Sequence, residues 1–336
     1  VAGGLGGGGV PEPQAEAQGR ARVTAAVAAK SVAVVIPSFQ HARWVGDAVE
    51  SALSQTRPPD EVVVVDDGST DGTFDVLRGF GSRIRVLENA RGGIGSTYNM
   101  GVAAVKADLV AFLESDDALE PTYLEEIGDF LEGKRDFDWV STARLLIDAE
   151  GRPTGEISRR RYLDAGEEFT FEGLLSGELG ASSTPVVRRA ALADVGLWSV
   201  ESHAADTDMA LRFSLSHRMG YLDRPLYRHR RHGNNASTSL LTSVRLNVPI
   251  LERLLDPPHP ALGGREGAVR RALAKMLGMQ AALAMEEDPG AASGDVLPLL
   301  QRAARLHRSP KHLRRLALVS LFGPRAYGAW RRARAR

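Results

Sequence analysis

The chain alternates between unbroken apolar runs and stretches where apolar residues return every three or four positions. Residues 32–36 (Val-Ala-Val-Val-Ile), 62–65 (four valines) and 109–113 (Leu-Val-Ala-Phe-Leu) contain no polar position, which predicts strands covered on both faces. Pro37 is expected to end the first of them, and a further strand is expected over 84–87. Between these runs Trp44, Val45, Ala48, Val49, Ala52 and Leu53 fall at helical spacing, and helices are predicted over 73–78 and 95–105. This β-α-β-α rhythm predicts an α/β fold with a doubly wound, mostly parallel sheet and right-handed crossovers. Past Pro121, a favourable first helical residue, 123–131 reads as an amphipathic helix. Short strands and helices mix without a clear period over 139–235. From Val244 onward the pattern is helical, with breaks near Pro257-Pro258 and Pro289-Gly290, and no internal repeat occurs.

Composition changes this picture at the two ends. Residues 1–30 are dominated by Gly, Ala, Pro and Gln; such a segment buries too little apolar surface to offset its ordering entropy, and a disordered leader is expected. The 336 residues carry 42 basic and 42 acidic side chains, yet residues 301–336 hold eleven Lys or Arg and no acid. An acidic body with a basic tail indicates two separate jobs, not a general nucleic-acid surface. Cysteine is absent, so thiolate nucleophiles, disulfide frameworks and Cys-ligated metal centres are excluded. That fits a cytoplasmic protein. The opening residues lack the charged start and apolar middle of a signal peptide, and no apolar run approaches the roughly 18 residues needed to span a bilayer.

The chemistry concentrates at predicted strand ends. Asp66-Asp67 closes the second strand and Glu114-Ser115-Asp116-Asp117 closes the fourth. In open α/β sheets ligands bind beyond the carboxyl ends of the strands, so both clusters are expected on one rim. Carboxylates facing one crevice repel unless a cation or donor groups lie between them, and hard oxygen ligands favour Mg²⁺ or Mn²⁺. Taken singly, Asp-Asp-Gly-Ser reads as a turn and Glu-Ser-Asp-Asp as a helix cap; together at matching ends they favour a site. No G-x-x-x-x-G-K-[ST] occurs, and Gly93-Ile94-Gly95-Ser96-Thr97-Tyr98 fails the dinucleotide fingerprint at its last position. P-loop NTPases and nicotinamide-dependent dehydrogenases are therefore disfavoured, while a nucleotide held through a metal-bridged diphosphate stays open.

The run Val34-Val35-Ile36-Pro37-Ser38-Phe39-Gln40, then residues 47–56, 61–73, 89–93, Asn99-x-Gly101 and 112–117, follow one another in the order seen in family 2 glycosyltransferases, and the chain resembles that family strongly over 32–120 and moderately to 240. The resemblance implies a GT-A fold over 31–240, with a nucleotide-binding half (31–120) and an acceptor half (121–240), followed by a helical extension over 241–336. It implies that Pro37 and Phe39 line the base pocket, that Asp67 holds the base, and that Asp66 contacts the nucleoside side of that pocket. Glu114-Ser115-Asp116 takes the D-x-D position, with Asp116 as metal ligand and Glu in place of the commoner first Asp. An inverting transfer needs a base for the acceptor hydroxyl; the matching segment is Ala205-Asp206-Thr207-Asp208, with Asp206 as the base and Asp208 as the alternate. The segment 227–237 resembles the family's basic loop, so that His232 approaches the metal or the leaving diphosphate and an Arg helps to neutralise it. His229-x-x-His232 lacks a third ligand at zinc spacing. Trp198 either stacks on an acceptor sugar or belongs to the core.

The expected activity is a metal-dependent, inverting transfer of a hexose-type sugar from a nucleoside-diphosphate sugar to a hydroxyl acceptor, such as a cell-envelope glycan, a lipid-linked saccharide or a small metabolite. A sugar-nucleotide nucleotidylyltransferase is one alternative, but residues 36–39 do not supply the Gly-rich, basic loop it requires. A non-catalytic sugar-nucleotide-binding or membrane-scaffold protein is another, motivated by Glu114 and by Ala205 where an acid is usual. The segment 314–322 is basic, then apolar, with Tyr327, Trp330 and more Arg beyond, a composition suited either to peripheral contact with the anionic inner face of a membrane or to a docked helix with a solvated end. No motif for specific nucleic-acid reading is present.

Overall fold

The valine-rich strand β1 (Val32–Ser38) is buried along its whole length. Its residues alternate between two apolar layers: Val32, Val34 and Ile36 enter one cluster, Ala33 and Val35 the other. In the computed structural model, which describes residues 30–159, 168–176, 184–202, 204–233, 239–287 and 296–334, β1 lies inside one mixed sheet. The leader over 1–29 and the break at Pro289-Gly290 lie outside the described residues.

The elements follow the expected rhythm through the first half: α1 (Val45–Leu53), β2 (Glu61–Asp66), α2 (Thr73–Arg78), β3 (Arg85–Glu88), α3 (Gly93–Ala104), β4 (Leu109–Phe112), β5 (Ala118–Leu119) and α4 (Tyr123–Gly133). The second half brings β6 (Phe137–Ile147), β7 (Pro153–Ser158), β8 (Glu168–Phe169), α5 (Phe171–Ser176), β9 (Val186–Arg188), α6 (Arg189–Val195), α7 (Ala205–Phe213) and β10 (Arg218–Arg230). The chain then turns helical through α8 (Leu240–Leu255), α9 (Glu266–Glu287), α10 (Val296–Leu306) and α11 (Pro310–Arg334).

The sheet order is β3-β2-β1-β4-β9-β6-β10-β5, with β7 added on β6 and β8 on β10. Strands β3, β2, β1 and β4 are mutually parallel. Strand β9 runs antiparallel to both β4 and β6, and β10 is parallel to β6. The reversal at β9 therefore cancels, and β1, β2, β4, β6 and β10 all end on one rim. The expectation that Pro37 ends β1 is corrected: pairing with β2 continues to Ser38↔Asp66, while pairing with β4 stops at Val35↔Phe112. Pro37 has no N–H to give, and it sits where the β4 ladder has already ended, so no ladder bond is lost.

Helix α3 approaches β1 closely because residue 101 is glycine: a Cβ there would meet Val35 Cγ1 at 2.3 Å. The helical extension is not a separate body. Val244, Val248 and Leu251 of α8 and Val269, Leu273 and Leu277 of α9 share one apolar cluster with Val35, Phe112 and Met219 of the sheet. A smaller cluster of Ala281, Met285, Val296, Leu300 and Val319 ties α9, α10 and α11 together. Helix α11 kinks at Gly323, where φ is 76°. Among the described residues no helix is long and apolar enough to cross a membrane.

Candidate active site

Three strand ends build the left side of the rim. Asp66, buried at the end of β2, turns into its own loop and accepts from Ser69 N at 2.9 Å and Ser69 Oγ at 2.6 Å. These bonds give Asp66 a turn-stabilising role. Asp67 accepts from Asn89 Nδ2 (2.8 Å), Gly92 N (2.8 Å) and Gly93 N (3.0 Å), which ties β2 to the start of α3. Pro37 is buried within the sheet, whereas the Phe39 ring beside it is 46% exposed. The chain then bends sharply at Gln40, whose φ is +56°. This costly conformation for a side chain with a Cβ is held by Ser69 Oγ on Gln40 N and by a reciprocal pair of bonds between Gln40 and Thr70. The same loop holds the next residue, with Thr73 Oγ1 accepting from His41 N at 3.0 Å.

That corner delivers a residue the sequence reading did not single out. His41 Nδ1 lies 2.8 Å from Ser115 Oγ, and its Nε2 lies 3.9 Å from Asp116 Oδ2. From the far side, just past β10, His232 Nε2 meets the same Asp116 oxygen at 3.0 Å. The His232 ring is sandwiched by Trp44 at a centroid distance of 4.1 Å, and Trp44 Nε1 donates to Ala149 O at 3.0 Å. Ligand atoms of His41, Asp116 and His232 all lie within 4.8 Å of one another. Metal–ligand bonds near 2.1 Å place neighbouring donors roughly 3–4 Å apart, so these side chains could hold a divalent cation. Burial draws His41 below the usual histidine range, Asp116 opposing and His232 adding to the shift.

The scaffold beneath the cluster is braced through Asp117 and Arg230. Asp117 accepts from the Tyr227 hydroxyl and from Arg230 N, each at 2.7 Å, and His229 Nδ1 lies 3.2 Å away. The buried Arg230 guanidinium donates to Asp116 O at 2.7 Å and to Ala149 O at 3.2 Å, and reaches Asp47 at 3.1 Å. Arg231 is exposed and pairs with Glu156.

Behind Asp116 lies a buried acid. The Tyr98 hydroxyl donates to the Glu114 carboxyl. Burial pushes Glu114 up to about 8, with Asp116, Asp117 and Asp206 adding to the rise and the Tyr98 bond opposing it. In the absence of a cation Glu114 therefore holds its proton at neutral pH, which lowers the repulsion within the acidic loop. Trp198 belongs to this support. It is 5% exposed and stacks on Tyr98 at 5.0 Å; its backbone N–H donates to Asn99 Oδ1 at 2.8 Å and its carbonyl accepts from Asn99 Nδ2 at 2.9 Å. Stacking of Trp198 on an acceptor sugar is corrected accordingly: its ring face is already covered.

The two candidate bases separate cleanly. Asp208 is buried and paired with Arg212 at 3.0 Å and Arg253 at 3.1 Å, a structural assignment. Asp206, in the first turn of α7, is close enough to Glu114 and Tyr98 to bear on their charge.

Comparison with known proteins fits this arrangement. The family model "Glycosyl transferase family 2" matches residues 33–195. This stretch belongs to glycosyl transferase family 2. Over 220 residues the chain is 30% identical to the chondroitin synthase of Pasteurella multocida (strain Pm70), covering 64% of this chain and 22% of that protein. The hyaluronan synthase of Pasteurella multocida matches to the same extent. The chain therefore spans about a fifth of the length of these synthases. Among solved structures, S. aureus TarS 1–349 in complex with UDP-GlcNAc superposes with a TM-score of 0.67 at 18% identity, over 90% of this chain and 92% of that one. Mannosyltransferase PcManGT from Pyrobaculum calidifontis, in complex with GDP-Man and Mn²⁺, gives a TM-score of 0.51 at 17% identity, over 90% and 87%. These structures share the GT-A fold with the family 2 domain described here.

Proposed function

We propose that the chain is a metal-dependent, inverting glycosyltransferase that moves a sugar from a nucleoside-diphosphate sugar to a hydroxyl group of a growing polysaccharide. The observation that carries this reading is the meeting of Asp116 and His232, 116 residues apart in the sequence, at the ends of the parallel strands. The chondroitin and hyaluronan synthases among the relatives support a polysaccharide product, and the UDP-GlcNAc complex of TarS supports a uridine diphosphate donor.

In this reading the base lies beside Phe39 and Asp67, and the diphosphate crosses the end of β1 toward Asp116. A divalent ion held by Asp116 and His232 supplies charge neutralisation on the departing diphosphate. The Asp206 carboxylate takes the proton from the acceptor hydroxyl. The acceptor oxygen bonds to the anomeric carbon on the face opposite the diphosphate, and the carbon–oxygen bond to the diphosphate breaks, with its electron pair leaving on that group. Interactions that strengthen as this charge builds lower the barrier more than they tighten binding. Arg230 contributes by fixing the Asp116 backbone.

Thermal melting with UDP-, GDP- and dTDP-sugars, each with and without Mn²⁺, tests the reading. A shift that requires both Mn²⁺ and one base supports it. Stabilisation by a nucleotide sugar that is unchanged in EDTA removes the metal from the proposal, and no stabilisation by any donor removes the activity.

A further inference from the structure

Resting on the glycosyltransferase reading, we propose that His41 is the third protein ligand of the cation, and that the resulting two-histidine, one-carboxylate set selects transition ions over Mg²⁺. The D-x-D resemblance offers only oxygen donors near the diphosphate. Here the fold replaces part of that oxygen shell with imidazole. His41 enters from the β1 end and His232 from the β10 end, on either side of Asp116 Oδ2 at 3.9 and 3.0 Å.

Three features make His41 a ligand by construction. Its backbone is fixed by the left-handed corner at Gln40 and by Thr73 Oγ1. Its Nδ1 is engaged by Ser115 Oγ at 2.8 Å, so Nε2 is the nitrogen turned toward Asp116, and in the tautomer in which Nδ1–H donates to Ser115 its lone pair is open to a cation. A metal-bound histidine characteristically has its second nitrogen held in this way, and loss of such a partner costs about 10–100-fold in metal affinity. The serine is the middle residue of Glu114-Ser115-Asp116, so one three-residue segment supplies both the carboxylate ligand and the group that orients a histidine ligand. The Trp44 ring, edge-on to His41 at 5.7 Å and stacked on His232, closes the apolar side of the cluster.

Ligand chemistry then sets the preference. Imidazole nitrogen binds first-row transition ions well, whereas Mg²⁺ favours oxygen and water and demands near-ideal octahedral geometry. The cluster should therefore hold Mn²⁺ and Co²⁺ in preference to Mg²⁺, including before any donor arrives.

The test uses the full chain, stripped with EDTA and dialysed, with Mn²⁺ binding followed by the electron paramagnetic resonance of free Mn²⁺. Wild type is expected to bind one Mn²⁺, and roughly hundredfold excess Mg²⁺ is expected to displace little of it. His41→Ala should weaken Mn²⁺ binding more than tenfold, and Ser115→Ala by about tenfold. His41→Asp, which restores a ligand but as oxygen, should retain binding and shift the Mn²⁺/Mg²⁺ ratio toward Mg²⁺, an effect that damaged folding cannot produce. Unchanged Mn²⁺ affinity in His41→Ala, or equal affinity of wild type for both ions, overturns the proposal while leaving a metal-dependent transferase in place. Donor turnover by wild type in EDTA would overturn the metal-dependent reading along with it.

Discussion

Two residues apart on one helix, Asp206 and Asp208 point about 200° from each other, and that rotation divides their roles. Asp208 is buried and pairs with the half-buried Arg212 and the exposed Arg253, so Asp208→Ala should leave Arg212 without its carboxylate and cost about 1–3 kcal/mol, visible as a lowered melting temperature. Asp206→Asn is expected to reduce sugar transfer by about 10²–10⁴-fold with the melting temperature unchanged, since a general base contributes on that scale. Glu114 gives a pH signature. Its pKa is raised by burial to about 8 in the folded chain from an ordinary 4.5, so between those values the native state binds more protons than the unfolded one. Stability of the metal-free protein should therefore fall as pH rises from 5 to 8, and Glu114→Gln should flatten that decline in melting experiments. At this scale the sequence displays the acids plainly, because strand-end carboxylates are conspicuous. It hides His41, which carries no spacing signal: only the kink at Gln40 brings its ring to Asp116, and a polar residue after a strand ordinarily reads as a solvated loop.

The parallel strands and their helices were legible wherever both faces are buried, as α2 over Thr73–Arg78 and β2 over Glu61–Asp66 show. Strands β6 and β10 were not. The β10 segment Arg218–Arg230 carries Gly220, Pro225 and five charged residues, and its pairing with β6 contains register shifts at Arg218/Met219 and around Pro225. Alternation is lost where bulges change which residue faces the core. Yet β10 is the element that carries the second histidine to the first-half site. The close approach of α3 and β1 is equally element-level. Gly101→Ala should force α3 away from Val35 and cost about 1–3 kcal/mol. Adding Val35→Ala to that variant should recover part of the loss, measured as a double-mutant coupling in thermal melting.

In the molecule as a whole, helices α8 and α9 share a core with the sheet and act as a buttress to it. The last helix, α11, packs Val319 inward while Leu321 stays 75% exposed. The docked helix foreseen from composition accounts for the first part of α11, and the basic end beyond Gly323 carries the remaining proposal of membrane contact. The full chain should co-sediment with phosphatidylglycerol vesicles at low ionic strength and be released by high salt; replacing Arg331, Arg332 and Arg334 by Ala should weaken that retention, and retention unaffected by salt would count against it. A different consequence follows from β1 lying between β2 and β4. Two ladder widths, about 10 Å, separate the Asp67 and Asp116 strand ends, and that gap is set by backbone pairing. The rim thus works as a fixed caliper: a guest one phosphate shorter spans only one jaw, and no side-chain replacement can reset the gauge.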